Sequence, residues 1–91
     1  MPTRRIFVRG RVQGVSYRMW AVHEARTLDL SGWVRNRSDG SVEILADGPD
    51  EQVTQLAERC WTGPELARVD NVEIVIADEA VPEGFEQRRT V

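Results

Sequence analysis

Two short stretches hold the residue types best suited to gripping a small anion. The first is Gly10-Arg11-Val12-Gln13-Gly14-Val15-Ser16-Tyr17-Arg18, where β-forming residues pass through a glycine-bearing turn and open into a helical pattern. Such a turn aims several backbone N–H groups at one point, and the helix N-terminus adds about half a positive charge there. Arg18 falls in the first helical turn, where a cation opposes the helix dipole by roughly 0.3–1 kcal/mol. A bound phosphate would offset that cost by accepting both the planar guanidinium fork and the backbone N–H groups. An ordinary strand-to-helix turn with a solvated arginine accounts for the same residues.

The second stretch is Gly32-Trp33-Val34-Arg35-Asn36-Arg37-Ser38-Asp39-Gly40-Ser41-Val42-Glu43, a strand running into a hairpin. Asn36 stands at the strand's end, where asparagine most often serves only as a turn former. Other phosphate chemistries fit poorly. The first loop lacks the Gly-Lys-Ser/Thr ending of a Walker A motif and the aromatic pattern of an RNA-recognition strand. Cys60 lacks the arginine that completes a cysteine-phosphatase loop, since Leu66 stands in its place, and it belongs to an apolar helical stripe. Histidine is the side-chain type suited to acid–base work at neutral pH, but His23 lies more than one turn past Arg18 and reads as a surface or packing residue.

The charge distribution favours a small, locally held anion. Net charge is −3, yet residues 1–37 contain Arg4, Arg5, Arg9, Arg11, Arg18, Arg26, Arg35 and Arg37 against Glu24 and Asp29 alone. The acids from Asp39 onward read as solvated faces. A basic stretch in an acidic protein argues against the broad positive surface that nucleic acid needs. One cysteine excludes an internal disulfide, and with the single His23 it cannot build a zinc site. No apolar run reaches the roughly 18 residues of a membrane span, and the first residues show no signal-peptide stretch. A soluble, cytoplasmic protein is expected. Ninety-one residues, 41% hydrophobic, support one compact domain over 1–91.

The elements that must position these residues follow from periodicity. Arg4 to Val12 alternates as a strand, and Tyr17 to Leu28 turns helical with Val22, Ala25 and Leu28 near one face. Gly32 to Asn36 and Ser41 to Ala46 form a hairpin around Asp39-Gly40. Val53, Leu56, Ala57, Cys60 and Trp61 make a helical apolar stripe between Pro49 and Gly63-Pro64. Arg68 to Ala77 is a strand with Val72, Ile74 and Ile76 alternating, and Phe85 to Thr90 adds a short final edge strand. The order is βαββαβ. With only two helices, economical packing puts both on one face of an antiparallel sheet, an α+β sandwich of the ferredoxin-like kind.

Taken together, residues 10–18 and 32–43 resemble the paired signatures of the acylphosphatase family, in order and separation. Cys60-Trp61-Thr62-Gly63-Pro64, Ala67-Arg68-Val69-Asp70 and the Gly84-Phe85 to Arg88 ending extend the resemblance over essentially the whole chain. The resemblance implies a metal-free, cofactor-free hydrolase of small acyl phosphates. Arg18 would bind the phosphate, with Gln13, Gly14, Val15, Ser16 and Tyr17 forming its cradle, and Asn36 would orient the attacking water. The expected partners are a small acyl phosphate and inorganic phosphate, with no nucleic acid or membrane, and the expected state is a monomer. Two departures stand out. Tyr17 replaces a common phenylalanine, and Met19-Trp20-Ala21 stands where relatives often carry threonine or serine, which leaves Trp20 to pack beside the site or shape its acyl side. The alternatives are a non-catalytic phosphate sensor or an RNA-associating domain of the same fold.

Overall fold

Alternation along β1 (Thr3–Arg11) turns Ile6 and Val8 to one face, where both are fully buried. They meet the buried face of α1 (Tyr17–Thr27) and the stripe of α2 (Asp50–Cys60), so both helices cover the same side of the sheet. The strands between and after them are β2 (Ser31–Asn36), β3 (Val42–Asp47), β4 (Arg68–Ala77) and β5 (Phe85–Gln87). The structure is a computed structural model that describes residues 3–91. Its sheet has the order β4-β1-β3-β2-β5.

The antiparallel expectation holds for the four longer strands, which pair β4–β1, β1–β3 and β3–β2 in opposite directions. The fifth makes the sheet mixed, because β5 runs parallel to β2, with Gly32 opposite Phe85 and Val34 opposite Gln87. Connectivity dictates this. β4 ends at Ala77, opposite Thr3, at the same end of the sheet where β2 begins. The short connection over 78–84 reaches the far edge at that end, leaving β5 only the direction of β2. Regular pairing stops at Gln87 rather than Thr90, although Arg88 N still donates to Val34 O at 2.8 Å and Val91 N to Asn36 O at 3.1 Å.

On α1 the buried residues are Tyr17, Ala21 and Ala25, with Leu28 just beyond, while Val22 is only half-buried. The stripe therefore sits slightly round from the expected one. Trp61 also departs from it: α2 ends at Cys60, so Trp61 lies in the following turn and is 51% exposed. β4 is an edge strand, and Ile74 and Ile76 stay exposed on it rather than joining the core. Among the described residues no helix is long and apolar enough to cross a membrane.

Candidate active site

The end of β1, the start of α1 and the end of β2 meet at one end of the sheet. Between β1 and α1 the chain makes a tight reversal, with Gly14 at φ 74° and Ser16 in the left-handed region at φ 65°. Glycine suits the first of these positions because it meets no steric penalty there. Ser16 O accepts the first helical bond from Trp20 N at 3.0 Å, and no side chain caps the helix. Its earliest N–H groups thus lack intrahelical partners and point out of the helix start. No acidic residue occupies the first turn.

Arg18 is half-buried, and its Nη1 donates to the backbone oxygen of Arg88 at 3.0 Å. That carbonyl belongs to the segment following β5, which also fixes the end of β2: Val91 N donates to Asn36 O, and Ser38 N donates to Val91 O at 2.7 Å. One segment therefore sets both the guanidinium and the backbone of Asn36. The Asn36 side-chain oxygen is buried and has no hydrogen-bond partner among the described residues. Gly14, Ser16, Tyr17, Arg18 and Asn36 line one pocket of about 230 Å³, completed by Val12, Met19 and Gln87.

A family model for acylphosphatase matches residues 4–87 of this chain. The chain belongs to the acylphosphatase family. An acylphosphatase from Rhizorhabdus wittichii is 48% identical over 88 residues, covering 97% of this chain and 89% of that protein. The crystal structure of acylphosphatase from Bacillus subtilis shares the fold with a TM-score of 0.90 and 36% identity, over 97% of this chain and 99% of that one. An acylphosphatase structure from Coxiella burnetii gives the same TM-score and identity over 96% and 92% of the respective chains.

Within this acylphosphatase fold the remaining loop residues divide by role. Gln13 does not turn its side chain into the pocket; its Nε2 donates to Arg37 O at 2.7 Å and Ser41 O at 2.9 Å. It ties the loop to the base of the hairpin that carries Asn36. Val15 faces a neighbouring cleft. Tyr17 donates its phenol proton to Cys60 O at 2.7 Å, and a Cβ on Gly63 would come within 2.6 Å of its ring, so only glycine allows that approach. Burial, with Cys60 beside it, pushes the phenol well above its ordinary value, so it stays neutral and anchors α1 to α2. Trp20 packs against Tyr17 with ring centroids 5.2 Å apart and planes tilted by 59°, and does not line the pocket, whereas Met19 does.

Two side chains weighed for catalysis lie elsewhere. Cys60 is fully buried, and burial pushes its thiol up to about 12, leaving no thiolate near neutrality. The His23 side chain is 74% exposed and borders a different depression, with Val22, Arg26 and Glu86.

Glu43 contradicts the expectation that the later acids are solvated. It is 2% exposed, on the sheet face away from the helices, and its Oε1 accepts from Arg35 Nε and Arg37 Nη1, both at 2.8 Å. Arg5 Nε lies 3.0 Å from Oε2 as an ion pair without hydrogen-bond alignment. Burial pushes the carboxyl up, but the hydrogen bonds and charges of Arg35 and Arg37 together outweigh it and hold it below the ordinary value. Glu43→Gln is expected to destabilise the fold by roughly 2–3 kcal/mol, below the fully buried case because water reaches the arginines. A depressed carboxyl stabilises the fold above its unfolded value of about 4.3, and that stability is lost as pH falls further. Urea midpoints at pH 7 and about pH 3 should converge between wild type and variant at the lower pH; equal midpoints at pH 7 would remove Glu43 from this role.

Proposed function

We propose that the chain hydrolyses small acyl phosphates to a carboxylate and inorganic phosphate. In this reading a water oriented by Asn36 attacks a phosphoryl group held by Arg18 and the backbone N–H groups of the 13–18 loop. The observation that carries it is the sharing of one pocket by the loop, Arg18 and Asn36.

Phosphoryl transfer through a loose transition state asks little of the nucleophile and much of positioning and of stabilising the equatorial oxygens. Arg18 and the uncapped start of α1 supply that stabilisation. The buried Asn36 oxygen is an acceptor that costs about 1–3 kcal/mol if left unmet. A water hydrogen-bonded to the pocket-facing part of the Asn36 carboxamide directs an oxygen lone pair toward phosphorus. The new P–O bond forms as the bond to the acyl oxygen breaks, the electron pair leaves with the carboxylate, and the water's proton passes to solvent. A carboxylate is stable near neutrality, since its acid has a pKa of about 4, so no general acid is required.

None of these side chains needs a metal or titrates in the working range. Among the described residues no three His, Cys, Asp or Glu side chains group as a metal site. Phosphate release from acetyl phosphate is expected to survive EDTA and to show a level kcat from about pH 5 to 8, the range that brackets histidine titration. His23→Gln should behave the same. A limb near pH 6.5 that disappears in the variant, or activity restored only by added Mg²⁺ or Zn²⁺, would overturn the cofactor-free Arg–Asn mechanism.

A further inference from the structure

Most arginines here are held by carboxylates: Arg5, Arg35 and Arg37 by Glu43, Arg9 by Glu73, Arg59 by Glu24. Arg11 and Arg68 form no ion pair among the described residues, although both are charged and exposed. They also stand directly opposite each other in the β1–β4 ladder. Like charges at facing positions repel, so the pair is a standing cost that an anion between them would relieve. The register is fixed rather than incidental. A shift in pairing at Arg9/Gly10 sets it, and a Cβ on Gly10 would lie 2.3 Å from Arg68 O, so the two strands are clamped at this point.

Arg11 and Arg68 both border a cleft of about 500 Å³, whose other walls are Val15, Leu66 and Ala67, with Glu65. The cleft shares Gly14 with the Arg18 pocket. A Cβ on Gly14 would meet nothing within 4 Å, so no other side chain packs against the loop at the residue the two spaces share. Their placement agrees with the geometry of an in-line reaction. Asn36 ends β2, whereas Arg11 and Arg68 belong to β1 and β4, and β2 and β4 stand on different sides of β1 in the sheet. An in-line leaving group departs opposite the attacking water, hence away from β2, and Arg11 and Arg68 stand on that side of the sheet.

We propose that Arg11 and Arg68 form a second anion subsite, which receives a carboxylate or phosphate at the far end of the acyl group. This rests on the acyl phosphate reading above. Val15, Leu66 and Ala67 contact the intervening carbon chain, the paired guanidinium groups select the distal charge, and Glu65 moderates the selection by leaving the cleft with a smaller net positive charge.

The test compares kcat/KM for succinyl phosphate, whose acyl group ends in a carboxylate, with that for acetyl phosphate, whose acyl group is uncharged. The expected ratio is about ten or more, the scale of one charge-assisted hydrogen bond. Arg11→Gln/Arg68→Gln should bring the ratio to about one, each single variant should lower it part-way, and Glu65→Gln should raise it. Circular dichroism verifies that each variant is folded. In wild type, added NaCl should raise KM for succinyl phosphate more than for acetyl phosphate, a readout independent of any substitution. An acyl phosphate ending in a second phosphate is the companion substrate, and the higher of the two ratios identifies the preferred anion. A wild-type ratio near one for both charged substrates, or a ratio unchanged in the double variant, overturns the subsite while leaving acetyl phosphate hydrolysis intact. Failure to hydrolyse any of the three overturns the underlying reading and the subsite with it.

Discussion

Arg18→Ala is expected to lower kcat/KM for acetyl phosphate by about 10³ or more, the range seen when an arginine that stabilises a transferring phosphoryl group is lost. Arg18→Lys should recover little of that. An ammonium keeps the charge, but it is a compact point donor and cannot set two parallel N–H groups against two phosphoryl oxygens. The surroundings strengthen the difference. Arg18 Nη1 already donates to Arg88 O, so the guanidinium is fixed at one edge in a residue that lines the pocket. Lysine has one nitrogen for both tasks. Steady-state kinetics on the two variants, with inhibition by inorganic phosphate as the binding readout, separate the cases: both rate and phosphate affinity should fall. A lysine variant with near-normal kcat/KM would show that paired donors are not what the site uses.

Asn36→Ala should reduce kcat by roughly 10²–10³, the loss associated with one well-placed polar group acting on the transition state. Its effect should be separable from that of Arg18. In the proposed site the phosphate contacts are assigned to the loop and α1, so inhibition by inorganic phosphate should change little. The fold should also persist, because the backbone of Asn36 stays paired with Val42 and holds Val91 N. Asn36→Asp is the sharper companion, since it retains an acceptor oxygen but brings negative charge beside a phosphate dianion. A variant that keeps its turnover and loses only affinity would make Asn36 a binding residue.

Local signals in the chain carry the half of the fold that holds the candidate site. The alternation of Ile6 and Val8, the Asp39-Gly40 turn and the α2 stripe each depend on residues close in sequence, so β1, the hairpin and α2 are readable without tertiary information. The paired signatures around Arg18 and Asn36 do the same for the two principal side chains of the site. What escapes is decided by pairing across the sheet. Gln87 lines the pocket only because β5 lies parallel to β2, and nothing within Phe85–Gln87 specifies its neighbour. Glu43 looks like any acid in an alternating strand. Its burial arises because Arg5, Arg35 and Arg37 converge on the helix-free face, where Arg35 and Arg88 also lie over the Trp33 ring at 4.5 and 5.1 Å from its centroid. Arginine stems cover that face as aliphatic residues would. Gln13 illustrates a finer limit: its place in the loop is legible, but the direction of its side chain, toward Arg37 O and Ser41 O, depends on where the hairpin comes to rest.

The central mechanistic claim is that water attacks phosphorus directly, and the fate of the water oxygen tests it. Hydrolysis of acetyl phosphate should be run in water enriched in heavy oxygen, with EDTA present, and both products analysed by mass spectrometry after a single turnover. The expected result is one heavy oxygen in the inorganic phosphate and none in the acetate, at the full wild-type rate. Heavy oxygen in the acetate would mean attack at the acyl carbon, and would contradict the placement of the water by Asn36 against a phosphoryl group held by Arg18.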